Sequence, residues 1–362
     1  MKRVLVSVTN DLSTDQRVHR VCTTLTNSNF KVLLVGRKLQ NSLPLNRLYK
    51  TKRMSLLFNK GFLFYTEYNV RLFFYLLFNK KDILLANDAD TLIPNYLVSK
   101  LQNKPLIFDS HELFSEVPEL FFRPRVKSIW LKIENTVIPR IKIGYTVSDS
   151  IALYYKNLYN VTFEVIRNVP LQTKNNTPVA SIKLNNNAIL YQGAINTGRG
   201  LELMIKAMQF VDNGTFYIIG EGMLLNKLKQ KVSKLNLTEK VIFLGTIDPS
   251  ELKSITIQAA VGISLEEDLG LNYRYALPNK LFDYIQAEIP VLVSNLPEMA
   301  QLVKQYNVGE VITNRAPNRI ANMVEYMFLN KNIYKKHLKK AALELCWEQE
   351  ELKFKKLIHK II

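Results

Sequence analysis

Short, fully apolar runs with helical patterns between them recur along the chain. Ten such runs occur, at 4–8, 32–36, 82–87, 105–110, 144–148, 188–193, 215–220, 241–245, 261–265 and 290–294. Because each run is continuous and does not alternate apolar with polar residues, it is typical of a strand in a parallel sheet covered by helices on both faces. The pattern therefore predicts an α/β fold with doubly wound parallel sheets.

The series of runs restarts once, which predicts two domains. A polar stretch without periodicity, LQTKNNTPVASIKLNNN at 171–187, separates the two series. We predict a Rossmann-like domain at 1–170, a linker at 171–187 and a second Rossmann-like domain at 188–340. Ligands of such folds bind beyond the carboxyl ends of the strands, so we expect the domains to face each other across a cleft lined by strand-end loops.

The apolar segment GFLFYTEYNVRLFFYLLFNKK at 61–81 is predicted to be a buried helix. Glu67, Asn69 and Arg71 interrupt it, which leaves too few apolar residues for the roughly 20 that span a bilayer. One face of the helix would carry Phe64, Tyr68, Leu72, Tyr75 and Leu76. Such a face favours packing in an α/β layer over a position on a membrane surface.

The net charge of +18 is unevenly distributed. Residues 1–175 contain 26 Lys and Arg against 13 Asp and Glu, whereas residues 176–362 contain 23 against 18. A positive field attracts the phosphates of nucleic acid, anionic lipid or a small substrate without distinguishing them, and it is also typical of a solvated basic surface. Basic residues do not alternate with aromatic ones and no binding motif is present, so we expect no nucleic-acid partner.

Cysteine usage and the first apolar run favour a cytoplasmic protein without a metal. Cys22 and Cys346 are far apart, and no histidine pair lies near either at metal-ligand spacing. Neither a disulfide framework nor a zinc site is therefore predicted. The opening MKRVLVSVTNDL indicates a first buried strand and not a secretory signal.

Glycines follow two successive strands of the second series. They are Gly193, Gly198, Gly200, Gly220 and Gly222. Two of them flank Arg199 directly before a helical run, so a guanidinium and the unpaired N–H groups of a helix start would meet in an anion site. As an alternative, glycines at these positions are what any tight strand-to-helix turn requires.

The stretch LPNKLFDYIQAEIPVLVSN at 277–295 predicts a nucleotide site. A proline followed by Asn279 and Lys280 opens a helix, so an amide, an ammonium and backbone N–H groups converge where a phosphate would fit. Asp283 follows in the first turn, where it would accept hydrogen bonds from ribose hydroxyls, as the acidic residue of dinucleotide folds does. The alternative for Asp283 is a partner of the helix dipole.

Two sets of stretches together resemble one family. The second half contains YQGAINTGRGLELMIKAM, FYIIGEGMLLNKLKQKV, KVIFLGTIDPSELKSI, VGISLEED and LPNKLFDYIQAEIPVLVSNLPEM, which resemble the donor-binding domain of retaining glycosyltransferases of family 4. The first half contains STDQRVHRVCTTL, LLANDADTL, FDSHELFSEVPEL and TVSDSI. These resemble the acceptor domain of a subgroup that builds bacterial surface polysaccharides.

The resemblance implies a GT-B architecture and an enzyme that transfers a sugar with retention. The donor would be a nucleotide-diphospho-sugar and the acceptor a glycan or a lipid-linked group. No cofactor and no metal are implied, because positive protein groups take the place of magnesium in this family. A cytoplasmic enzyme that is peripheral on the inner face of the cell membrane would approach a lipid-linked acceptor with its basic first half.

The family's Glu-x7-Glu pair implies roles for two carboxylates. Glu267 would lie near the donor sugar's hydroxyls as a catalytic residue, with Glu266 as the alternative, and Asp283 would hold the ribose. This sequence departs from the pattern, because Asp283 is shorter than the usual glutamate and the insertion DLGLNYRYAL widens the spacing from 8 to 16 residues.

The family also implies a set of charged groups around the diphosphate and the donor sugar. Ala194 lies near the place of the family's diphosphate-binding arginine, and Arg199 lies at that of its lysine, so Lys280 would supply the second charge. His111 matches the family's histidine that faces the donor sugar, and it would be catalytic. Its alternative role is that of a capping residue at a strand end.

The loop NDLSTDQRVHR at 10–20 would face the acceptor with Asp15, Arg17 and Arg20. The last segment, 341–362, would form a helix that packs back on the first domain. The departures noted above leave a second interpretation open, in which the chain is a catalytically degenerate partner subunit of the same fold that binds a sugar nucleotide without turning it over.

Overall fold

The structure, a computed structural model, describes residues 1–172 and 180–361. Within the predicted linker, residues 173–179 lie outside the described part. The chain forms two compact units, the first made of Met1–Asn168 with Glu350–Ile362 and the second of Val169–Gln349. The predicted last segment, 341–362, is thus divided between the units at residue 350.

In the first unit, the described residues form one parallel sheet with helices on its faces. The strands are β1 (Arg3–Asp11), β2 (Lys31–Lys38), β3 (Lys50–Ser55), β4 (Ile83–Asn87), β5 (Leu106–Ser110), β6 (Ile143–Thr146) and β7 (Glu164–Val165). The helices are α1 (Gln16–Asn27), α2 (Gly61–Phe78), α3 (Leu92–Gln102), α4 (Pro124–Val137) and α5 (Asp149–Tyr159), with short 3-10 turns at Ala89–Thr91, Phe114–Glu116, Pro118–Leu120 and Ile138–Arg140. The strand order is β3-β2-β1-β4-β5-β6-β7.

The second unit repeats this architecture in its described residues. Its strands are β8 (Ala188–Gln192), β9 (Thr215–Ile219), β10 (Val241–Gly245), β11 (Val261–Ser264), β12 (Val291–Ser294) and β13 (Gly309–Ile312), in the order β10-β9-β8-β11-β12-β13. Its helices are α6 (Leu201–Ala207), α7 (Leu225–Lys234), α8 (Pro249–Thr256), α9 (Leu271–Arg274), α10 (Asn279–Gln286), α11 (Pro297–Tyr306) and α12 (Pro317–Glu344). Helix α13 (Trp347–His359) begins in this unit and ends in the first.

The prediction of two parallel α/β domains is confirmed. All ten apolar runs coincide with strands, and their side chains form the cores between sheet and helices. Sequence reasoning missed β3, β7 and β13, each of which forms or borders the edge of a sheet.

Helix α2 buries the face that its sequence predicts. Phe64, Tyr68, Leu72 and Leu76 are buried, and Tyr75 is half-buried. The Tyr68 hydroxyl donates a hydrogen bond to the Val8 carbonyl oxygen at 2.6 Å, so the helix is tied to the end of β1. Among the described helices, none has both the length and the apolar character needed to cross a bilayer.

Each sheet has one point at which the strand order reverses, between β1 and β4 in the first unit and between β8 and β11 in the second. The loops that leave the two strands at such a point diverge and leave room for a ligand. In the second unit the loop after β8 ends at Gly200, which has a φ of +73°. At this residue it comes into contact with the loop after β11. A Cβ atom on Gly200 would lie 2.0 Å from the Leu265 carbonyl oxygen, so the close approach requires glycine.

We predict that Gly200→Ala destabilises the second unit by roughly 3 kcal/mol or more, because a side chain would force the two loops apart. Gly245→Ala is the matched control. Gly245 has a φ of +71°, but no atom lies within 4 Å of the Cβ position. The free energy of unfolding of the control should fall by only about 1 kcal/mol, which is the cost of placing alanine in a left-handed backbone conformation. Urea unfolding followed by circular dichroism measures both, and equal losses would show that the close approach carries no constraint.

Candidate functional site

The centre of the second unit's reversal point is a buried ion pair. Lys280, the second residue of α10, places its Nζ 2.6 Å from Glu266 Oε1 in the loop after β11. The other carboxylate oxygen of Glu266 accepts a hydrogen bond from Ser264 Oγ at 2.7 Å. The Lys280 ammonium also lies 4.5 Å from the centre of the Tyr191 ring. Lys280 thus lies at the start of a helix, as the sequence predicts, and its partner is Glu266, whereas its role in binding a diphosphate stays a prediction.

Burial disfavours the charged form of both members of this pair, so by itself it would raise the pKa of Glu266 and lower that of Lys280. Burial alone would raise the pKa of Glu266, but Lys280, Ser264 and Arg199 outweigh it, so the carboxyl pKa lies below its ordinary value. Burial lowers the pKa of Lys280, and Glu266 opposes that change. Each charge therefore depends on the other, as expected of a pair removed from water.

Arg199 adds a second positive group on the more open side of the pair. Its Nη1 lies 3.8 Å from Glu266 Oε1, and its guanidinium carbon lies 4.9 Å from the centre of the Tyr273 ring. The Tyr273 hydroxyl donates to the Thr197 carbonyl oxygen at 3.2 Å. Two cations and one carboxylate thus meet beside the glycine-containing loop after β8, which leaves a net positive site.

The predicted glycines bring backbone close to this positive site. A Cβ atom on Gly193 would lie 3.5 Å from Lys280 Cε, so the start of the loop passes directly by the lysine. A Cβ atom on Gly220 would lie 2.0 Å from the Gly193 carbonyl oxygen, and one on Gly222 would lie 2.3 Å from that of Ile195. The turns after β8 and β9 are therefore packed backbone against backbone, with no space for a side chain at Gly220 or Gly222.

Asp283 is held at the end of β8 by a residue that sequence reasoning missed. Gln192 Nε2 donates to Asp283 Oδ2 at 3.1 Å, and the Gln192 side-chain oxygen accepts from the Thr256 hydroxyl at 2.8 Å. Gln192 is the first polar residue after the apolar run AILY, and that position was the available signal. Asn279, the first residue of α10, is exposed beside this group.

Arg315 is a second residue that sequence reasoning missed. Its guanidinium donates to the carbonyl oxygens of Leu265 and Glu266, at 3.0 and 3.1 Å, and to Ser294 Oγ at 2.5 Å. It thereby fixes the backbone that carries Glu266. No motif marks this arginine in the sequence, because the groups that it binds are backbone carbonyls.

The insertion between the two predicted carboxylates is folded. Helix α9 lies within it, and the Glu267 N–H donates to the Gly198 carbonyl oxygen at 2.8 Å, which ties the insertion to the glycine loop. Glu267 itself is half-buried, whereas Glu266 is buried in the ion pair. The catalytic role assigned to Glu267 stays a prediction, and the structure makes Glu266 the carboxylate at the centre of the positive site.

In the first unit, His111 lies between two carboxylates after β5. Its Nε2 is 2.9 Å from Asp109 Oδ2 and its Nδ1 is 3.1 Å from Asp88 Oδ2. The His111 backbone N–H also donates to Asp88 Oδ1 at 2.8 Å. Burial alone would lower the pKa of His111, but the two carboxylates raise it well above its usual value. The imidazole is therefore a fixed cation, and its side chain remains partly exposed.

Asp90 lies beside this group as a buried acid. Its carboxyl accepts a hydrogen bond from the Thr9 hydroxyl at the end of β1. Burial, and then the Asp88 carboxylate, raise the pKa of Asp90 to about 8. Asp90 is thus protonated at neutral pH, a state that no sequence pattern indicated.

The three predicted acceptor-side residues lie at the start of α1, in internal contacts of the first unit. Asp15 caps the helix by accepting from the Val18 N–H at 3.0 Å. Arg17 is buried and binds Asp109 through Nε and Nη2, at 3.1 and 2.8 Å. Arg20 Nη2 donates to Asn168 Oδ1 at 2.6 Å. Arg17 and His111 therefore share one carboxylate, and the acceptor role of the loop stays a prediction.

Within the described residues, no group of three or more His, Cys, Asp or Glu side chains is placed to hold a metal ion.

Comparison with known proteins shows which family the residues of the second unit match. Residues 172–344 match the family described as glycosyl transferases group 1. The matched residues make up nearly all of the second unit. A curated relative, the uncharacterized glycosyltransferase MJ1607 of Methanocaldococcus jannaschii, is 26% identical over 138 residues, which are 37% of this chain and 33% of that protein. The match thus covers about a third of the relative's length.

Solved structures with a similar fold cover nearly the whole length of this chain. The sucrose-phosphate synthase (tll1590) from Thermosynechococcus elongatus has a TM-score of 0.81 at 14% identity, over 100% of this chain and 99% of that one. Alr3699/HepE of Anabaena, in complex with UDP and glucose, has a TM-score of 0.76 at 13% identity, over 99% and 100%. At such identities the likeness shows the fold, which is that of glycosyltransferase structures.

We predict that Lys280→Met lowers the free energy of unfolding by about 3–5 kcal/mol, because it leaves Glu266 buried without its ammonium partner. The double variant Lys280→Met with Glu266→Gln should recover most of this loss. Lys227→Met is the control, since it breaks the exposed pair with Glu202, 2.8 Å apart, and should cost no more than about 1 kcal/mol. Urea titration measures all three, and a double variant as unstable as Lys280→Met would contradict the interpretation.

Asp90 makes the stability of the first unit depend on pH. Its carboxyl pKa is about 8 in the fold and about 3.9 in an unfolded chain. The folded state therefore keeps a proton that the unfolded state releases, so the stabilisation is complete below about pH 4 and is lost as the pH rises through 8.

We predict that Asp90→Asn gains stability relative to the wild type between pH 5 and pH 8, by up to about 1.4 kcal/mol per pH unit. The amide keeps the shape and the neutrality of the protonated acid, so it removes only the titration. Urea-unfolding midpoints at pH 5, 6.5 and 8 check this. Parallel pH profiles for the two proteins would show that Asp90 is already ionised in the fold.

Proposed function

We propose that this chain is a metal-independent glycosyltransferase that uses a nucleotide-diphospho-sugar donor. The observation that carries the proposal is the meeting of Arg199, Lys280 and Asp283 at the reversal point of a sheet whose residues match glycosyl transferases group 1. Two cations beside closely packed loop backbone suit a diphosphate. A partly exposed carboxylate at the end of β8 suits the hydroxyls of a ribose. Alr3699/HepE, whose fold is similar, is described with UDP and glucose.

The charges suggest how such a site would promote transfer. Breaking the anomeric bond builds negative charge on the leaving diphosphate, so fixed positive groups stabilise the transition state more than the ground state. Arg199 and Lys280 would supply this charge without a metal ion. Asn279, at the exposed start of α10, would add an amide donor to the same phosphates.

We propose that the sugar is transferred with retention, by reaction on the front face of the donor. In the second unit Glu266 is engaged by Lys280 and Asp283 by Gln192, so neither is placed as a nucleophile in the geometry described. The leaving phosphate would then accept the proton of the attacking hydroxyl. His111, whose two ring nitrogens are both bonded to carboxylates, would act on the donor sugar through its positive charge and not as a base.

The acceptor in this proposal is a glycan or a lipid-linked group of surface polysaccharide synthesis, reached at the inner face of the cell membrane. Its support is the first-half stretches STDQRVHRVCTTL and FDSHELFSEVPEL and the surplus of Lys and Arg in residues 1–175. The rival proposal is a partner subunit that binds the donor without transfer. Its support is Ala194 at the place of an arginine and the pairing of Lys280 with Glu266.

We predict that one class of nucleoside-diphospho-sugar raises the melting temperature of the protein without added metal. Asp283→Asn and Arg199→Met should each weaken this binding by about tenfold, because each removes one charge-assisted hydrogen bond to the ligand. Lys280 is unsuitable for this test, since its loss also destabilises the unit. The controls are Asp212→Asn and Lys227→Met, which alter exposed groups of the same unit.

Slow hydrolysis of the stabilising donor, lost in Arg199→Met, would support transfer chemistry. Stabilisation without hydrolysis or transfer to any glycan would favour the partner subunit. The absence of stabilisation by any nucleoside-diphospho-sugar at millimolar concentration would overturn both proposals. Proton NMR of the product's anomeric centre tests retention.

A further inference from the structure

The outer side of the helix layer in the first unit is apolar. Helix α2 buries one face against the sheet, yet Leu63, Val70, Phe74 and Phe78 on its opposite side are exposed. The spacing of these residues, seven and then twice four apart, makes them a single stripe. Phe78 is 78% exposed, and its ring stacks on that of Phe74 with the centres 6.5 Å apart. Packing within the unit does not account for this stripe.

Helix α3 continues the apolar surface. Ile93, Leu97 and Leu101 follow one another at intervals of four residues and are all exposed. Gln102 Nε2 donates to the Leu77 carbonyl oxygen at 2.9 Å, which holds the ends of α3 and α2 side by side. The exposed stripes of the two helices therefore belong to adjacent elements.

Helix α4 and the turn before it extend the same layer. Trp130 of α4 is buried, and its ring lies 5.1 Å from that of Tyr65 in α2, so the two helices are packed together. On the exposed side, Phe122 is 94% exposed, and Val126 and Ile129 follow it at the surface. We call the exposed sides of α2, α3 and α4, with the turn at 121–123, the helix-layer face.

The charged groups around the helix-layer face are mainly basic, although one of the cations, Lys127, is paired with Glu116 at 2.7 Å. The segments 92–104 and 121–132 contain six Lys and Arg and no Asp or Glu. Arg123 and Arg125 are exposed next to Phe122. On α2, Glu67 is drawn away, because its carboxylate accepts from the backbone N–H groups of Leu57 and Phe58. The face thus combines large apolar side chains with a positive border.

The apolar side chains and their positive border indicate what kind of partner binds the helix-layer face. Apolar side chains that enter the boundary of the acyl chains, with Lys and Arg at the headgroups, are the features by which a protein surface binds an anionic bilayer. A second copy of this chain would instead place the same cations opposite each other, which is unfavourable across a symmetric contact. Charge complementarity therefore favours lipid over self-association.

We propose that the helix-layer face binds the surface of an anionic lipid bilayer. The inference deepens the proposed function and rests on it in one respect, namely that a lipid-linked acceptor lies in that surface. It gives the enzyme a defined side by which its first unit approaches the membrane. The surplus of positive charge in residues 1–175 would then attract the anionic headgroups. The apolar side chains would insert below the headgroups.

The test is co-sedimentation of the full chain with vesicles of phosphatidylcholine alone and of phosphatidylcholine with about 30% phosphatidylglycerol, a content at which polybasic surfaces bind. We expect binding to the anionic vesicles only. The variant Phe74→Ser with Phe78→Ser should bind roughly tenfold more weakly through lost apolar burial. The variant Arg123→Glu with Arg125→Glu should also lose roughly tenfold or more through lost attraction.

Matched controls come from helix α12 of the second unit. Leu329 and Ile333 are four residues apart and exposed, as Phe74 and Phe78 are, so Leu329→Ser with Ile333→Ser should leave vesicle binding unchanged. Lys335→Glu with Lys336→Glu is the corresponding control for charge. Stabilisation by the sugar nucleotide, measured separately without vesicles, should be the same in all four variants, so failure here is distinguishable from failure of the proposed function.

Three results would overturn the proposal. One is the absence of binding to anionic vesicles, and another is equal loss of binding in the α12 controls. The third is a dimer in analytical ultracentrifugation that Phe74→Ser with Phe78→Ser dissociates while vesicle binding stays as in the wild type. That last result would assign the face to a second copy of the chain.

Discussion

A buried ammonium and a buried carboxylate, those of Lys280 and Glu266, form the contact on which the second unit's candidate site depends. Taking either charge out of water costs several kcal/mol, so each is tolerated only beside the other. Because Lys280 opens α10 and Glu266 follows β11, their contact at 2.6 Å fixes a helix start against a strand end. Arg315 holds the backbone of the carboxylate, and the glycine loop closes over the remaining side.

The first unit meets the same electrostatic requirement with the same arrangement of signs. There one buried carboxylate, Asp109, lies between two cations, Arg17 and His111. Asp88 supplies the second negative group that a doubly bonded imidazolium needs. Both arrangements lie where parallel strands end, and both orient charged groups before any ligand arrives. Groups that are already oriented need not reorganise during a reaction, which is the main way that protein charges lower a barrier.

Strands were predictable from the sequence where they form continuous apolar runs, and three of the four edge strands do not. The ten predicted strands are continuous apolar runs, the edge strand β10 among them, whereas β3 reads KTKRMS and is largely exposed. An edge strand has a neighbour on one side only, so its side chains need not be apolar. Strand β7 is two residues long, and β13 reads GEVI, in which a glutamate interrupts the apolar residues, so neither produces a run that can be recognised.

Site residues were predictable where the chemistry is local. The glycine loop and the start of α10 each lie in one short stretch, so their backbone and charges could be inferred together. The pairing of Lys280 with Glu266 spans 14 residues, that of Arg315 with the Glu266 carbonyl spans 49, and that of Gln192 with Asp283 spans 91. Such pairings depend on which strands become neighbours, and residue types alone do not determine this.

The division of the chain into units has a consequence for the order of folding. The second unit, Val169–Gln349, is one continuous stretch, whereas the first needs both Met1–Asn168 and Glu350–Ile362. Two contacts of the first unit therefore form late, because the ribosome synthesises their second partner only after the whole second unit. They are the contact of the Phe354 ring with that of Tyr145, with the centres 5.5 Å apart, and the hydrogen bond that Glu351 accepts from Thr24. At about 5–20 residues per second, the ribosome leaves that apolar surface uncovered for roughly 10–35 s. The unit that begins first is the one completed last, and in the meantime its surface around Tyr145 is open to chaperones and to misfolding.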